Sequence, residues 1–451
     1  MLQEHLVGTI LSDGTPLDDL VDEQDLSVVA RVMNDPEIYD LELKKLFSRE
    51  WLFMGHESEI PNKGDYVARR MGEDPVIVTR ARDGEIHVLL NICSHRGAQV
   101  CQAECGNATT FQCPYHGWIY DGTGRLLGVT AEREALGDRL DKSAYALQEA
   151  RVGVYHGMIF ANWDPAAPSL EERFATMGFY YDMLFGLTDN GLEVTGPPLR
   201  WVENTNWKFA SDNLVGDGYH TMSVHKSMDQ LGLVPGFADP TLTQNVTSVF
   251  DEATGDGLEN FGIFPVDDSS EDAAWEQATF WMGLTEDFAP QARRRLSAQQ
   301  AEVFLKGMPG VGNIFPNLAW LALPWPTGDP DEGMSYMLVI RLAEPYGPEQ
   351  HLVSVWGLVA RDLDPELKEM QRKTSLRMFG SSGMLEQDDA QIWSGTQKSI
   401  RGAQGRNRRL RYPLVKPRNP DWPGPGYART SFPDEMNQMN FWRRWRDLLN
   451  G

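Results

Sequence analysis

Two short segments carry the densest chemistry in the chain: Cys93-Ser-His95 and Cys113-Pro-Tyr-His116, with seventeen residues between His95 and Cys113. Two thiolates and two imidazoles suit a tetrahedral zinc. They also suit a [2Fe–2S] cluster with cysteines on one iron and histidines on the other. Each half supplies one ligand of each type from a turn between short strands. Zinc fingers commonly pair like with like, as C-x2–4-C and H-x3–5-H, so the arrangement favours the cluster. Cys101 and Cys105 lie in the same stretch and are read as spectators. Cysteines clustered with histidines in a chain this long indicate a metal site rather than a disulfide scaffold.

A second group follows about a hundred residues later, within Asp212-Asn213-Leu-Val-Gly-Asp217-Gly-Tyr-His220-Thr-Met-Ser-Val-His225. Two histidines and one carboxylate make a facial triad that holds iron(II) and leaves positions open. Residues five apart on an ideal helix point about 140° away from each other. His220 and His225 can converge only if the helix is broken or bulged between them, and Gly216 and Gly218 weaken it nearby. Asp217 precedes His220 by three residues, on nearly the same helical side, where it can act as a local cap or back the imidazole. A third candidate is Glu386-Gln387-Asp388-Asp389, with Trp393 beyond it. Helical phase puts Asp389 rather than Asp388 on the side of Trp393. The bland alternative is an acidic helix start exposed to solvent.

The elements that must position these residues fall into distinct stretches. Residues 1–50 read as a helical, amphipathic segment, above all Asp25–Arg49. Residues 51–165 read as all-β, with short strands such as Asp65–Val67, Val76–Thr79, Ile86–Leu90, Thr109–Gln112 and Met158–Ala161 between Gly, Pro and Asp turns. Residues 166–451 are mixed. Leu170–Leu184 reads as a helix, Leu192–Trp201 as extended, and Trp207–Lys226 as an interrupted helix. Val246–Phe250, Phe315–Leu323, Ser335–Ala343 and Leu352–Val359 read as strands, and Asp364–Met378, Gly383–Thr396 and Asp434–Leu449 as helices. Pro235–Asn245 and Glu252–Glu276 read as loops. That order suits an α+β fold, an antiparallel sheet covered by helices.

The net charge of −24 and pI near 4.8 argue against nucleic acid or an anionic membrane as partners. Neither a membrane-length apolar run nor a basic-flanked leader is visible, so a cytoplasmic protein is expected. No strand is followed by a convincing G-x-G-x-x-G, so NADH should not bind directly.

The stretch NICSHRG…FQCPYHGWIYDGTGRL resembles the Rieske module of aromatic-ring-hydroxylating dioxygenases, over about forty residues with all four ligands in place. N-W-K followed by D-x2-H-x4-H resembles the mononuclear-iron motif of the same family's large (alpha) subunits, of the naphthalene and biphenyl dioxygenase kind. The resemblance implies an all-β Rieske domain at 51–165 and a helix-grip-like catalytic domain at 166–451, with residues 1–50 packing on the latter. It implies a [2Fe–2S] cluster on Cys93, His95, Cys113 and His116, and iron on His220, His225 and Asp389. Asp217 corresponds to the family's bridging aspartate, which joins an iron ligand to a Rieske histidine of a neighbouring subunit in a ring-shaped trimer. Asn213 matches a position near the iron. Tyr115 stands where respiratory Rieske proteins carry a disulfide cysteine.

Leu214, Gly218, Thr221, Val311, Phe379 and Leu385 match substrate-pocket positions. They are mostly apolar and include no arginine or lysine to pair with a substrate carboxylate, so a neutral arene is expected over a phthalate- or benzoate-like acid. The implied reaction is cis-dihydroxylation of the ring, with monooxygenation or demethylation as the alternative outcome of the same parts. Electrons would come from NADH through a reductase and a ferredoxin. A length near 450 residues resembles large subunits that pair with a small beta subunit as α3β3, whereas shorter relatives form α3.

Overall fold

The computed structural model describes residues 8–135, 141–231, 245–262, 266–267, 269–327, 333–430 and 433–451. The chain forms two compact units, Phe47–Leu170 and a second made of the residues up to Leu46 together with Glu171–Gly451.

Short strands rich in β-branched residues build the first unit. Asp74–Arg80 contains Val76, Ile77, Val78 and Thr79 in succession, all buried, as a central strand demands. Seven strands pair antiparallel in the order Leu52–His56, Met158–Asn162, Glu149–Tyr155, Ile86–Leu90, Asp74–Arg80, Asp65–Met71, Cys105–Asn107. A smaller sheet of Thr110–Gln112, Ile119–Asp121 and Leu126–Gly128 lies within the same unit. Ile77, Leu89, Phe111, Trp118, Tyr120, Leu126 and Leu147 form a core that also takes in Cys93 and Cys113.

A nine-stranded antiparallel sheet dominates the second unit. Leu192–Val194 and Leu199–Glu203 both pair with His351–Ala360. From there the order runs Met334–Pro345, Leu318–Pro326, Met308–Ile314, Gly257–Phe261, Val246–Phe250, Tyr427–Thr430. Side chains alternate across the strands. Ala319, Leu321, Met337, Val339, Val353 and Val355 therefore share one face, on which Leu214, Met228, Met378, Phe379 and Leu385 pack. The helices Trp207–Leu214, Pro365–Phe379 and Lys226–Gln230 bring Leu214, Met378, Phe379 and Met228 to that face, and Glu386–Ser399 carries Asp389.

The N-terminal segment is less helical than its sequence suggests. Pro36–Lys45 is α-helix, capped by Asp35 and opened by proline at its first position. Leu17–Leu20 and Ala30–Met33 are single 3-10 turns. Ser27–Val29 is a strand paired with both Val21–Asp22 and Arg409–Arg411; β-branched Val28 and Val29 favour extended backbone and find a partner strand far along the chain. Likewise Leu170–Leu184 divides into Leu170–Arg173 and Gly178–Phe185. Within Glu252–Glu276 the strand Gly257–Phe261 and the start of the helix Glu271–Trp281 replace the expected loop. Residues 263–265 and 268 of that stretch, and 235–244 of the other expected loop, lie outside the described residues.

Candidate active site and its two metal centres

Two matching loops present the first ligand set. In one, Gly97 N–H donates to Cys93 O at 2.9 Å and Cys93 N–H to Ala98 O at 2.8 Å. In the other, Gly117 N–H donates to Cys113 O at 3.0 Å and Cys113 N–H to Trp118 O at 2.8 Å. Both turns require left-handed backbone at glycine, with φ of 74° at Gly97 and 69° at Gly117. The cysteines are buried together, with Tyr120 Oη 3.3 Å from Cys93 Sγ. His95 and His116 form a pair of their own, with ring centroids 4.4 Å apart, and Trp118 stacks on His95 at 4.8 Å.

The donor set is thus split into a thiol side and an imidazole side. Among the described residues, the group of three or more metal-type donors within 4.8 Å of one another is His220, His225 and Asp389. The Cys–His set does not converge in this way, whereas four ligands on one zinc would. Buried His95 Nδ1 has no hydrogen-bond partner, as a nitrogen meant for a metal should not. The arrangement fits a two-iron cluster. Cys101 is buried and Cys105 exposed, and both are free thiols.

The second set arises where a helix is made to stop. Asn206 caps Trp207–Leu214 by accepting from Lys208 N–H. Lys208 is itself pinned, fully buried, 2.6 Å from Glu42 Oε1. The chain then turns at Gly216, with φ of 129°, where a Cβ would meet Asn437 Nδ2 at 2.7 Å. Asp217 opens the 3-10 turn Gly218–His220 by accepting from His220 N–H. A four-residue helix, Thr221–Val224, follows and ends at His225. This segmentation, in place of one continuous helix, lets both imidazoles face the same point.

That point is well defined. His220 Nε2 and His225 Nε2 are 3.3 Å apart, and each is 3.4 Å from Asp389 Oδ1. The centre of such a triangle lies about 2 Å from each corner, the length of a nitrogen or carboxylate bond to a first-row dication. Two imidazoles and one carboxylate are the donor set of a facial triad. Burial works against charge on His220, but the carboxylates of Asp217 and Asp389 outweigh it and push the imidazole up to about 10. Burial also opposes ionisation of Asp389, yet the two histidines bring its carboxyl down to about 2. The trio, with Asp217 behind it, favours positive charge at this point.

The Nδ1 atoms face away from that centre. His220 Nδ1 donates to the backbone carbonyl of Asp217, with Asp217 Oδ2 at 3.6 Å. Asn213 Nδ2 lies 3.4 Å from Asp217 Oδ2 and 3.3 Å from His220 Nδ1. His225 Nδ1 has Asp388 Oδ2 at 3.6 Å. Asp388 is thus outside the triangle and Asp389 inside it.

Leu214, Phe379 and Leu385 lie in the apolar cluster, and Val311 packs against it. Gly218 and Thr221 stand apart from that cluster: Gly218 is buried beside Glu259, and Thr221 Oγ1 donates to Gly218 O at 2.6 Å. Met228, Leu321, Met337 and Val339 belong to the same cluster and were not singled out by sequence. The three strand residues sit in near-continuous buried apolar runs, a signal too common to mark a pocket.

An iron–sulfur module in one unit and, in the other, an antiparallel sheet that carries a two-histidine, one-carboxylate cradle define a non-haem iron oxidoreductase. Residues 50–147 match the Rieske [2Fe-2S] domain, and residues 193–451 match the ring hydroxylating alpha subunit (catalytic domain). The chain belongs to the ring-hydroxylating alpha subunit family, whose cofactors are the Rieske cluster and a mononuclear iron. It is 34% identical over 451 residues to the N,N-dimethyl phenylurea N-demethylase subunit alpha of Sphingobium sp., covering 96% of this chain and 95% of that one. It is also 34% identical over 428 residues to the biphenyl 2,3-dioxygenase subunit alpha of Rhodococcus jostii, covering 90% and 86%. The crystal structure of naphthalene 1,2-dioxygenase from Rhodococcus sp. bound to indole superimposes with a TM-score of 0.87 at 38% identity over 96% of both chains.

Proposed function

We propose that this chain is the terminal oxygenase subunit that adds both atoms of O2 to one face of a neutral aromatic ring, giving a cis-dihydrodiol. The observation that carries the reading is the His220–His225–Asp389 triangle beside the apolar cluster of Leu214, Leu321, Val339, Phe379 and Leu385. When bound, the cluster supplies single electrons and the iron supplies O2 activation. The protein's part is binding, orientation and exclusion of water. Cys93, His95, Cys113 and His116 hold the cluster. His220, His225 and Asp389 hold the iron. The Asp217 carbonyl accepts from His220 Nδ1, which fixes that nitrogen as the protonated one and leaves Nε2 free to bind, and Asp388 stands 3.6 Å from His225 Nδ1. Asn213 steadies Asp217. Leu214, Val311, Phe379 and Leu385 shape the pocket, with Gly218 and Thr221 at its margin.

The pocket positions offer apolar surface, and Arg341 on the same face is already paired with Glu386, which favours mono- to polycyclic arenes over aromatic acids. In this reading the enzyme is cytoplasmic and receives electrons from NADH through a reductase and a ferredoxin. It assembles as α3β3 with a small beta subunit, Asp217 linking each iron to a neighbour's Rieske histidine. Reconstitution with a ferredoxin and reductase tests the substrate class: cis-dihydrodiols from naphthalene or biphenyl are expected, and exclusive turnover of an aromatic acid would overturn it.

The 34% identity to an N-demethylase along almost the whole chain favours a second reading, oxidative N-demethylation. Formaldehyde release from an N,N-dimethyl aryl urea, with no diol from either hydrocarbon, would select it.

A further inference from the structure

The helix that carries Asp389 begins in an unusual way. Glu386 is its first residue, and Leu385 before it offers no side-chain cap. A glutamate in a first turn ordinarily faces water, where it complements the helix dipole. Glu386 is instead 2% exposed. Its carboxylate is gripped by Arg341, with Nε 3.0 Å from Oε1 and 3.1 Å from Oε2, and Nη2 2.7 Å from Oε1.

Arg341 is equally out of place. It stands in the apolar run Met337-Leu-Val-Ile-Arg341-Leu-Ala of a central strand and is 1% exposed. It lies two residues along from Val339, so it enters the same face of the sheet as the pocket cluster. Its guanidinium sits 5.5 Å over the ring of Trp393, one helical turn beyond Asp389. Nη2 also reaches Glu203 Oε1 at 3.4 Å. Glu203 is held in turn by Trp201 Nε1 at 2.9 Å and faces His351 Nε2 at 3.5 Å. Burial drives His351 down to about 4, so it is neutral, and its Nδ1 donates to Thr205 O at 2.8 Å. Two strands, those of Arg341 and Glu203, are thereby tied to one end of one helix.

Stability does not account for such a network, because apolar side chains of similar volume replace buried ion pairs at little or no loss. Geometry does. A guanidinium–carboxylate fork fixes both distance and angle, and Glu386 and Asp389 are three residues apart, on one side of the helix. We propose that Arg341 and Glu386 are positioning residues that lock the first turn of Glu386–Ser399 so that Asp389 Oδ1 meets His220 and His225. The proposal rests on Asp389 being an iron ligand. Neither Arg341 nor Glu386 touches the metal point itself.

The test uses full-length protein from which the mononuclear iron, but not the cluster, has been removed by chelation. Cobalt(II) is titrated into the wild type, the double variant R341M/E386L, E386Q and D389A. The visible spectrum of the cluster reports the unit Phe47–Leu170, circular dichroism reports the fold of the unit that holds the triangle, and the cobalt absorption reports the site. R341M/E386L should keep the cluster spectrum and bind cobalt about tenfold or more weakly, as loss of supporting hydrogen bonds does at metal sites. E386Q, which keeps the shape but loses one acceptor, should be weakened to a smaller degree and serves if the double variant does not fold. Wild-type cobalt affinity in a folded R341M/E386L or E386Q, with D389A impaired, overturns the positioning role alone. Wild-type affinity in D389A removes the ligand assignment and the proposal with it.

Discussion

His225 Nδ1 lies 3.6 Å from Asp388 Oδ2, and His220 Nδ1 lies at the same distance, 3.6 Å, from Asp217 Oδ2. Each imidazole that offers Nε2 to the metal point is thus backed by its own carboxylate. Adjacent aspartates divide the work on one helix: Asp389 enters the triangle and Asp388 stands behind a ligand. Asp389→Ala should therefore lower iron from three atoms per chain to two, leaving the cluster spectrum intact. Asp388→Asn should retain the third iron but bind it about tenfold more weakly. Iron analysis after graded chelation separates the two, and equal loss in both variants would make Asp388 a ligand as well.

Asp217 differs from Asp388 in reach. Its backbone carbonyl and side chain both serve His220, and its side chain remains 27% exposed. Asp388, with 32% of its side chain exposed, is no more enclosed, so what sets Asp217 apart is the second hold that its carbonyl has on His220. Asp217→Asn should keep both metals and a reducible cluster while product formation falls by about a hundredfold. Single-turnover measurement with pre-reduced protein checks this. Loss of iron in step with loss of turnover would reduce Asp217 to a support for His220.

Cys113 is buried beside Cys93, whereas His95 and His116 pair on the other side of the first site. Cys113→Ser should abolish the visible cluster spectrum and the labile sulfide while the described triangle still binds cobalt. A colourless wild-type protein that carries one zinc per chain at this site would instead favour a single-metal centre.

Local spacing made the first ligand set and the histidine pair legible in the sequence, since each lies within a few residues of its partners. Asp389 was legible only through likeness to a family, because helical phase narrows the choice between Asp388 and Asp389 without deciding which faces the histidines. The strands Gly257–Phe261 and Met308–Ile314 escaped notice because glycine and proline interrupt their patterns. Glu259, Glu203 and Arg341 were silent for another reason. Their partners are 41, 138 and 45 residues distant, and only the folded sheet brings them together. A lone arginine in an apolar strand was the available sign of a buried ion pair.

Glu259 allows a prediction about stability and pH. It is fully buried, with Oε1 accepting from Gly218 N–H at 3.1 Å, and Oε2 without a partner. Burial, reinforced by the charge of Asp217, pushes its carboxyl from 4.5 up to about 8. Below about pH 4.5 the acid is protonated in both folded and unfolded chains, and it costs nothing. Between there and about pH 8 the unfolded chain has released a proton that the folded chain retains, so stability falls as pH rises through that window. The ceiling on this dependence is about 1.4 kcal/mol per pH unit. Glutamine resembles the protonated acid and cannot ionise. The Tm of Glu259→Gln should match the wild type near pH 5 and exceed it increasingly up to pH 8. Parallel Tm profiles across that range would show that Glu259 ionises as freely in the folded protein as in the unfolded chain.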